Sequence, residues 1–280
     1  MRIIRPRRLV RYSASRAFTL AEMLVVMGVI AVLAALVLPA LATSKTMARS
    51  TICKNHLHEM GLALQMYVNE NGNKYPYLRT AVEAIDSTSG WWFAKFRPYY
   101  PREWTNASYH CPGYRGINTG EDYPVHDPYG SYAYNALGAR PPFGGFNGYA
   151  YPNESFGLGP TVYSFAASHP STAEHQVRAP SEMLSIGESR FLSAEVNGMR
   201  GGWCETFCGW IVTNTPSARD AGSGPYQFAF DPDRHGKNYN QLCCDGHVAA
   251  LSPWFLFNPI NTASMWNYDH QPHPELWVPR

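Results

Sequence analysis

Three groups of side chains in this sequence have types and spacings that could do chemistry: one acid in an apolar run, one histidine–aspartate motif, and six cysteines. Glu22 is the only charged residue between Phe18 and Ala42. A carboxylate within a bilayer costs roughly 2.5–3.5 kcal/mol on insertion scales, and it is tolerated when paired. Near the other end, His235 is followed by nine residues and then Asp245-Gly246-His247. Asp-Gly favours a two-residue hairpin turn, in which His235 would bond a loop carbonyl or Asp245. The alternative is a metal set of His235, Asp245 and His247 with Asp231 or Asp233. Strand alternation would put residues two apart on one face, but Asp245 lies in the turn, and histidine serves calcium poorly.

The cysteines are Cys53, Cys111, Cys204, Cys208, Cys243 and Cys244. They allow 15 pairings, and spacing alone cannot choose among them. No zinc-type CxxC pair occurs, and Cys204 and Cys208 have no histidine beside them. Cys53 and Cys111 are the favoured disulfide pair, a staple between a helix and the rest of the chain. Cys243 and Cys244 would face opposite sides of a strand, and Cys204 and Cys208 could bridge a tight loop. G-x-S-x-G, H-E-x-x-H and phosphate-loop patterns are absent, and the adjacency of His110 and Cys111 is no sign of a catalytic pair. A non-catalytic protein with no cofactor is expected.

The elements that position these groups begin with a helix. Residues 1–17 carry six arginines and no acid, and without them the chain has 17 basic against 21 acidic side chains. The basic charge belongs to this leader, so nucleic acid is not an expected partner. An arginine-rich segment before about twenty apolar residues predicts a single membrane crossing with residues 1–17 on the cytoplasmic side. Helical character continues to about Glu70, with an apolar stripe of Ile52, Leu57, Met60, Leu64 and Tyr67. Asn71-Gly72 and then Pro76 mark its end. A helix of that length would run on the order of 80 Å.

Residues 71–280 form the expected body, rich in Tyr, Trp, Gly and Pro. Residues 86–163 read as loops with short strands. Met183–Gly187 and Phe207–Thr213 read as strands, and Tyr239–Leu251 as a hairpin around Asp245-Gly246. The expected class is α+β: a long N-terminal transmembrane helix packed on a loop-rich antiparallel sheet.

A secretory signal peptide ending at Ala40-Leu41-Ala42 and an ordinary signal anchor are two readings of the apolar run. The signal core usually spans only about 7–15 residues, and neither reading accounts for Glu22. Phe18-Thr19-Leu20-Ala21-Glu22-Met23-Leu24-Val25-Val26 resembles the processing site of type IV pilins and type II secretion pseudopilins. The resemblance implies cleavage by prepilin peptidase between Ala17 and Phe18 and N-methylation of Phe18. Ala17 stands where that family usually has glycine. Glu22 becomes the fifth mature residue, paired during assembly with the amine of a neighbouring subunit, and Pro39 the family's helix-bending proline. His235 to Asp245-Gly246 resembles the "H-X9-DG" domain of bacterial prepilin-like proteins. Cys53-Lys54-Asn55-His56-Leu57, Cys111-Pro112 and Ser131-Tyr132-Ala133-Tyr134-Asn135 resemble other segments of that group.

The implied organisation is a leader at 1–17, a helix at 18–70 and an exported body at 71–280. The implied location is the bacterial inner membrane, with the body periplasmic or in an extracellular filament. Partners would be prepilin peptidase, other pilin-like subunits and membrane lipid. The alternative from another class is a non-polymerising anchored protein whose aromatic loops bind polysaccharide.

Overall fold

The computed structural model describes residues 18–80, 90–114, 130–136, 138–139, 156–159, 161–162, 170–189, 191–196, 199–201, 228–229, 234–256 and 258–274. The chain divides into two units, Met1–Lys45 and Thr46–Arg280. Ala17, Asp231, Asp233, Cys204, Cys208 and the expected strand at 207–213 lie outside the described residues.

One helix, α1 (Leu20–Glu70), runs through Pro39. Its most apolar 18-residue window has a mean hydropathy of 2.9, and none of that window is buried in protein. Apolar side chains such as Leu24, Val29, Leu33 and Leu36 are exposed. A helix of this length and surface is suited to lipid rather than water. Pro39 removes one backbone donor. One turn on, the Thr43 and Ser44 hydroxyls donate to the Pro39 and Ala40 carbonyls at 3.0 and 2.8 Å.

The end of α1 is set by backbone chemistry. Gly72 adopts φ +67, and Asn73 N–H donates to the Val68 carbonyl at 2.9 Å. This is the six-to-one bond of a Schellman motif with glycine just past the cap. The Asn71 side chain adds a bond to the Tyr67 carbonyl at 2.8 Å.

The body centres on a four-stranded antiparallel sheet of order β2 (Tyr132–Tyr134), β4 (Leu184–Glu188), β8 (Tyr239–Cys243) and β9 (Val248–Leu251). Smaller pairings join β1 (Arg79–Thr80) to β3 (Thr161–Val162), and β5 (Phe191–Val196) to β6 (Met199–Gly201) and β7 (Phe228–Ala229). Alternation sorts the central strands into two cores. Tyr132, Tyr134, Ile186 and Leu242 join Cys53, Leu57, Met60, Ala63, Leu64 and Val68 of α1. Ala133, Leu184, Tyr239 and Cys243 face the other way, onto Leu256 of α2 (Pro253–Leu256) and Ala263 and Trp266 of α3 (Pro259–Trp266). Leu184 and Ile186, two apart, lie in different cores because the β4–β8 register shifts between them.

The buried face of α1 is Cys53, His56, Leu57, Met60, Gly61, Ala63, Leu64 and Val68. It is rotated from the stripe expected: Ile52 is 45% exposed, while Cys53 and His56 turn inward. Polar pairing inside the body selects that face, as the site below shows. The described tryptophans and phenylalanines of residues 91–104 fill the same core, with Phe93 stacked on Trp104 at 4.2 Å and Trp92 on Tyr134 at 5.5 Å.

The hairpin forms where expected, but its loop has three residues rather than two. Cys243 N–H donates to His247 O at 2.9 Å, and Gly246 N–H to Cys243 O at 3.0 Å. Gly246 takes φ +93, the left-handed residue that closes a three-residue loop. Cys243, the last residue of β8, and Cys244, the first of the loop, enter opposite cores.

Candidate functional site

Two polar arrangements stand out, one at the start of α1 and one under the sheet. At the start of α1, Thr19 N–H and Thr19 Oγ1 both donate to Glu22 Oε2, at 2.9 and 2.8 Å. Glu22 N–H returns a bond to Thr19 Oγ1 at 3.2 Å. This reciprocal pattern is a capping box, which satisfies donors the first helical turn leaves open. Thr19-Leu20-Ala21-Glu22 is the T-x-x-E signature for it, a signal legible in the sequence that the membrane reading of Glu22 passed over. Glu22 therefore has a local partner as well as any it acquires from another chain. Phe18 is exposed beside it.

The second arrangement gathers four side chains from four distant segments. Cys53 comes from α1, Cys111 from the turn after the short 3-10 helix Ala107–Tyr109, Glu188 from the end of β4, and His235 from the turn before β8. Their ligating atoms all lie within 4.8 Å of one another, and all four residues are buried. Cys53 Sγ donates to Glu188 Oε1 at 2.7 Å. His235 Nε2 lies 2.7 Å from Glu188 Oε1 and 3.0 Å from Cys111 Sγ. Both cysteines are free thiols in this structure, so the expected pair is brought together without a bond.

Polar groups surround this cluster. Tyr132 O–H donates to Cys53 Sγ at 3.2 Å, Gly113 N–H to Cys111 Sγ at 3.3 Å, and Asn240 N–H to Glu188 Oε2 at 2.7 Å. The buried Arg234 donates from Nη1 to the Ser189 carbonyl at 2.9 Å. Its guanidinium lies over the Tyr114 and Tyr239 rings at 5.2 and 5.3 Å.

Burial would raise the Glu188 carboxyl, but the Arg234 charge and the bonds from His235 hold it below the usual carboxylate range. Burial opposes the His235 charge, yet its bonds to Cys111 and Glu188 raise it to about 9. Burial also raises Cys111, while bonds from Cys53 and His235 bring it down to about 7. Burial pushes Cys53 well up.

This geometry does not make a nucleophile–base–acid relay. Such a relay needs the carboxylate on one imidazole nitrogen and the nucleophile on the other, whereas Cys111 and Glu188 both meet Nε2. His110 is no base for Cys111 either: its Nε2 lies 2.7 Å from the Trp104 carbonyl and its Nδ1 3.3 Å from Ser131 Oγ.

The alternative metal set read from the sequence is not assembled. His235 turns to Glu188 and Cys111, while Asp245 Oδ1 bonds His247 Nδ1 at 2.7 Å on the exposed hairpin tip. His235 and Asp245 thus serve different places, and Gly246 serves the turn. Glu188 and Arg234 carried no sequence signal, because nothing in their flanking residues foretells burial.

Residues 12–38 match the family model for the prokaryotic N-terminal methylation motif. Followed by a long apolar helix, that motif fits a type IV pilin-like or pseudopilin protein processed by prepilin peptidase and anchored by a single membrane pass. The match covers the N-terminal segment alone, and the α+β arrangement of long helix and four-stranded sheet is pilin-like. Neither the curated proteins nor the solved structures contain a match to the chain.

Proposed function

We propose that this chain is a structural, non-catalytic subunit of a type IV pilus-like or type II secretion pseudopilus filament. The leader is removed between Ala17 and Phe18, and the new Phe18 amine is methylated. The chain resides in the inner membrane with its N-terminus cytoplasmic and its body periplasmic, and then joins other pilin-like subunits. The observation that carries the reading is the methylation motif at residues 12–38 running into the unburied apolar stretch of α1, where Glu22 is the one acid between Phe18 and Ala42. In the assembled filament Glu22 pairs with the amine of the adjoining subunit, which sets the register of each addition.

Glu22 also caps its own helix, so two substitutions separate its roles. Glu22→Gln keeps a side-chain acceptor for Thr19 and removes the charge; Glu22→Ala removes both. Filament assembly, scored by shearing and immunoblotting, should fail in both variants while membrane insertion persists. Normal assembly of Glu22→Gln would leave only the capping role and defeat the register mechanism. Mass spectrometry of the mature N-terminus supplies the independent check: a methylated Phe18 is expected, and a start at Thr43 or an intact leader would overturn the maturation pathway.

The His235–Asp245-Gly246 segment resembles the H-X9-DG group, and we assign it a structural role in the body. The closed position of the Cys111–His235–Glu188 cluster supports a non-catalytic subunit. Among the described residues the aromatic side chains of 91–109, apart from the half-buried Tyr99, are core, which favours the filament over an aromatic platform for polysaccharide.

A further inference from the structure

The geometry points to a four-coordinate site for a divalent transition metal ion of the zinc type, built from Cys53 Sγ, Cys111 Sγ, Glu188 Oε1 and His235 Nε2. Two thiolates, an imidazole and a carboxylate are a zinc donor set, and thiolates select against magnesium and calcium. Bonds of 2.0–2.3 Å to a tetrahedral ion separate its ligands by about 3.3–3.8 Å. The neighbouring ligand atoms here are 2.7–3.0 Å apart, and all lie within 4.8 Å of one another. Opening the ring of donors by under about 1 Å therefore admits the ion without moving a backbone segment.

Two further observations support a ligand at this point. Donors already aim at the outer sides of three ligands: Tyr132 O–H at Cys53, Gly113 N–H at Cys111 and Asn240 N–H at Glu188. Such outer-shell bonds orient metal ligands and stabilise their charged forms. His235 itself sits at φ 47, ψ 38, followed by Gly236 at φ 70 and Lys237 at φ 74. A left-handed conformation is strained for a non-glycine residue, and here it delivers Nε2 to the other three donors.

The charges close as well. With both thiols and Glu188 ionised, the three negative ligands balance the two charges of the ion and the one of Arg234. Each thiol and the His235 imidazolium yield their protons to solvent on coordination, so that His235 ligates as the neutral imidazole. The ion would tie α1, the Cys111 turn, the end of β4 and the turn before β8 at a single point. This fastens the helix to the body without a Cys53–Cys111 bond.

The full-length chain, purified in detergent without chelator, tests the site. Elemental analysis should find about one zinc per chain. The Co2+-exchanged protein should show thiolate-to-cobalt charge transfer and the intense visible bands of a tetrahedral ion. Cys111→Ser and His235→Ala should weaken binding by more than about 100-fold, beyond the range seen for outer-shell losses. Tyr132→Phe should cost about tenfold. Glu188→Cys and His235→Cys restore a four-donor set and should retain the metal, which separates ligand loss from misfolding.

Three results would overturn the site: wild-type protein with no metal and no cobalt spectrum, zinc held equally well by Cys111→Ser, or a Cys53–Cys111 disulfide as the main species by intact mass. Each is read independently of filament assembly.

Discussion

Gly61 of α1 packs directly against Leu242 of the sheet, so substituting it tests the packing quantitatively. A Cβ at this position would lie 2.9 Å from Leu242 Cδ1 and 3.3 Å from Cδ2. Favourable carbon contacts lie at about 3.5–4.0 Å, and Leu242 is fully buried, so its side chain has little room to yield. Gly61→Ala gains about 1 kcal/mol of helix propensity and incurs about 1–3 kcal/mol of overpacking. The net expectation is a loss of about 1 kcal/mol. Leu242→Ala alone should cost about 2–5 kcal/mol through the cavity it leaves. In that background the obstructing methyls are gone, so Gly61→Ala should become stabilising by about 1 kcal/mol. The sign reversal amounts to a coupling of about 2 kcal/mol, within the range for residues in contact. Urea titration followed by tryptophan fluorescence in detergent gives all four corners of the cycle. If Gly61→Ala stabilises the wild type, or acts equally in both backgrounds, then the helix is not held against the sheet at Gly61 and Leu242 in this way.

Other perturbations probe the hairpin, the thiols and a buried histidine. Gly246→Ala places a side chain at φ +93 and should cost about 1–2 kcal/mol, visible as a lower urea midpoint. Burial, with the nearby Asp245 and Glu182 charges, pushes the Cys243 thiol up to about 12. Folded protein should therefore resist alkylation at Cys243 at pH 8 and react fully only in denaturant, and rapid labelling of the native chain would contradict this. Burial lowers the His56 pKa below its ordinary value, with the Arg102 charge adding to it. The unfolded chain then takes up that proton first, so stability falls as pH drops through about 6.5. His56→Gln should lose less stability than wild type between about pH 7.5 and 5, and identical pH slopes would remove His56 as a contributor.

Much of the scaffold was legible because it depends on local chemistry. Leu24 to Leu38 announces a lipid-facing helix by composition, Asn71-Gly72 stops it through the left-handed cap, and Asp245-Gly246 turns the hairpin. The loop length was not legible there, since a two- or three-residue loop is decided by which strand pair closes, Cys243 with His247, rather than by the dipeptide. The buried stripe on α1 departs from the periodic one at Ile52 because periodicity counts hydrophobicity, whereas Cys53 and His56 are drawn inward by polar partners on β2 and β4. Glu22 shows the opposite case: its capping box needs only Thr19 three residues earlier.

The sequence by itself determined the membrane helix, its methylation motif, its ends and the alternating strands, all of which arise from residues within a few positions of each other. Only the tertiary structure decided the site at Cys53, Cys111, Glu188 and His235. Those residues are separated by tens of positions; Cys53, Cys111 and His235 stand out by type in the sequence, but Glu188 does not, and nothing local joins the four. They converge because α1 and the sheet bury their shared face, and burial forces polar groups left there to find one another.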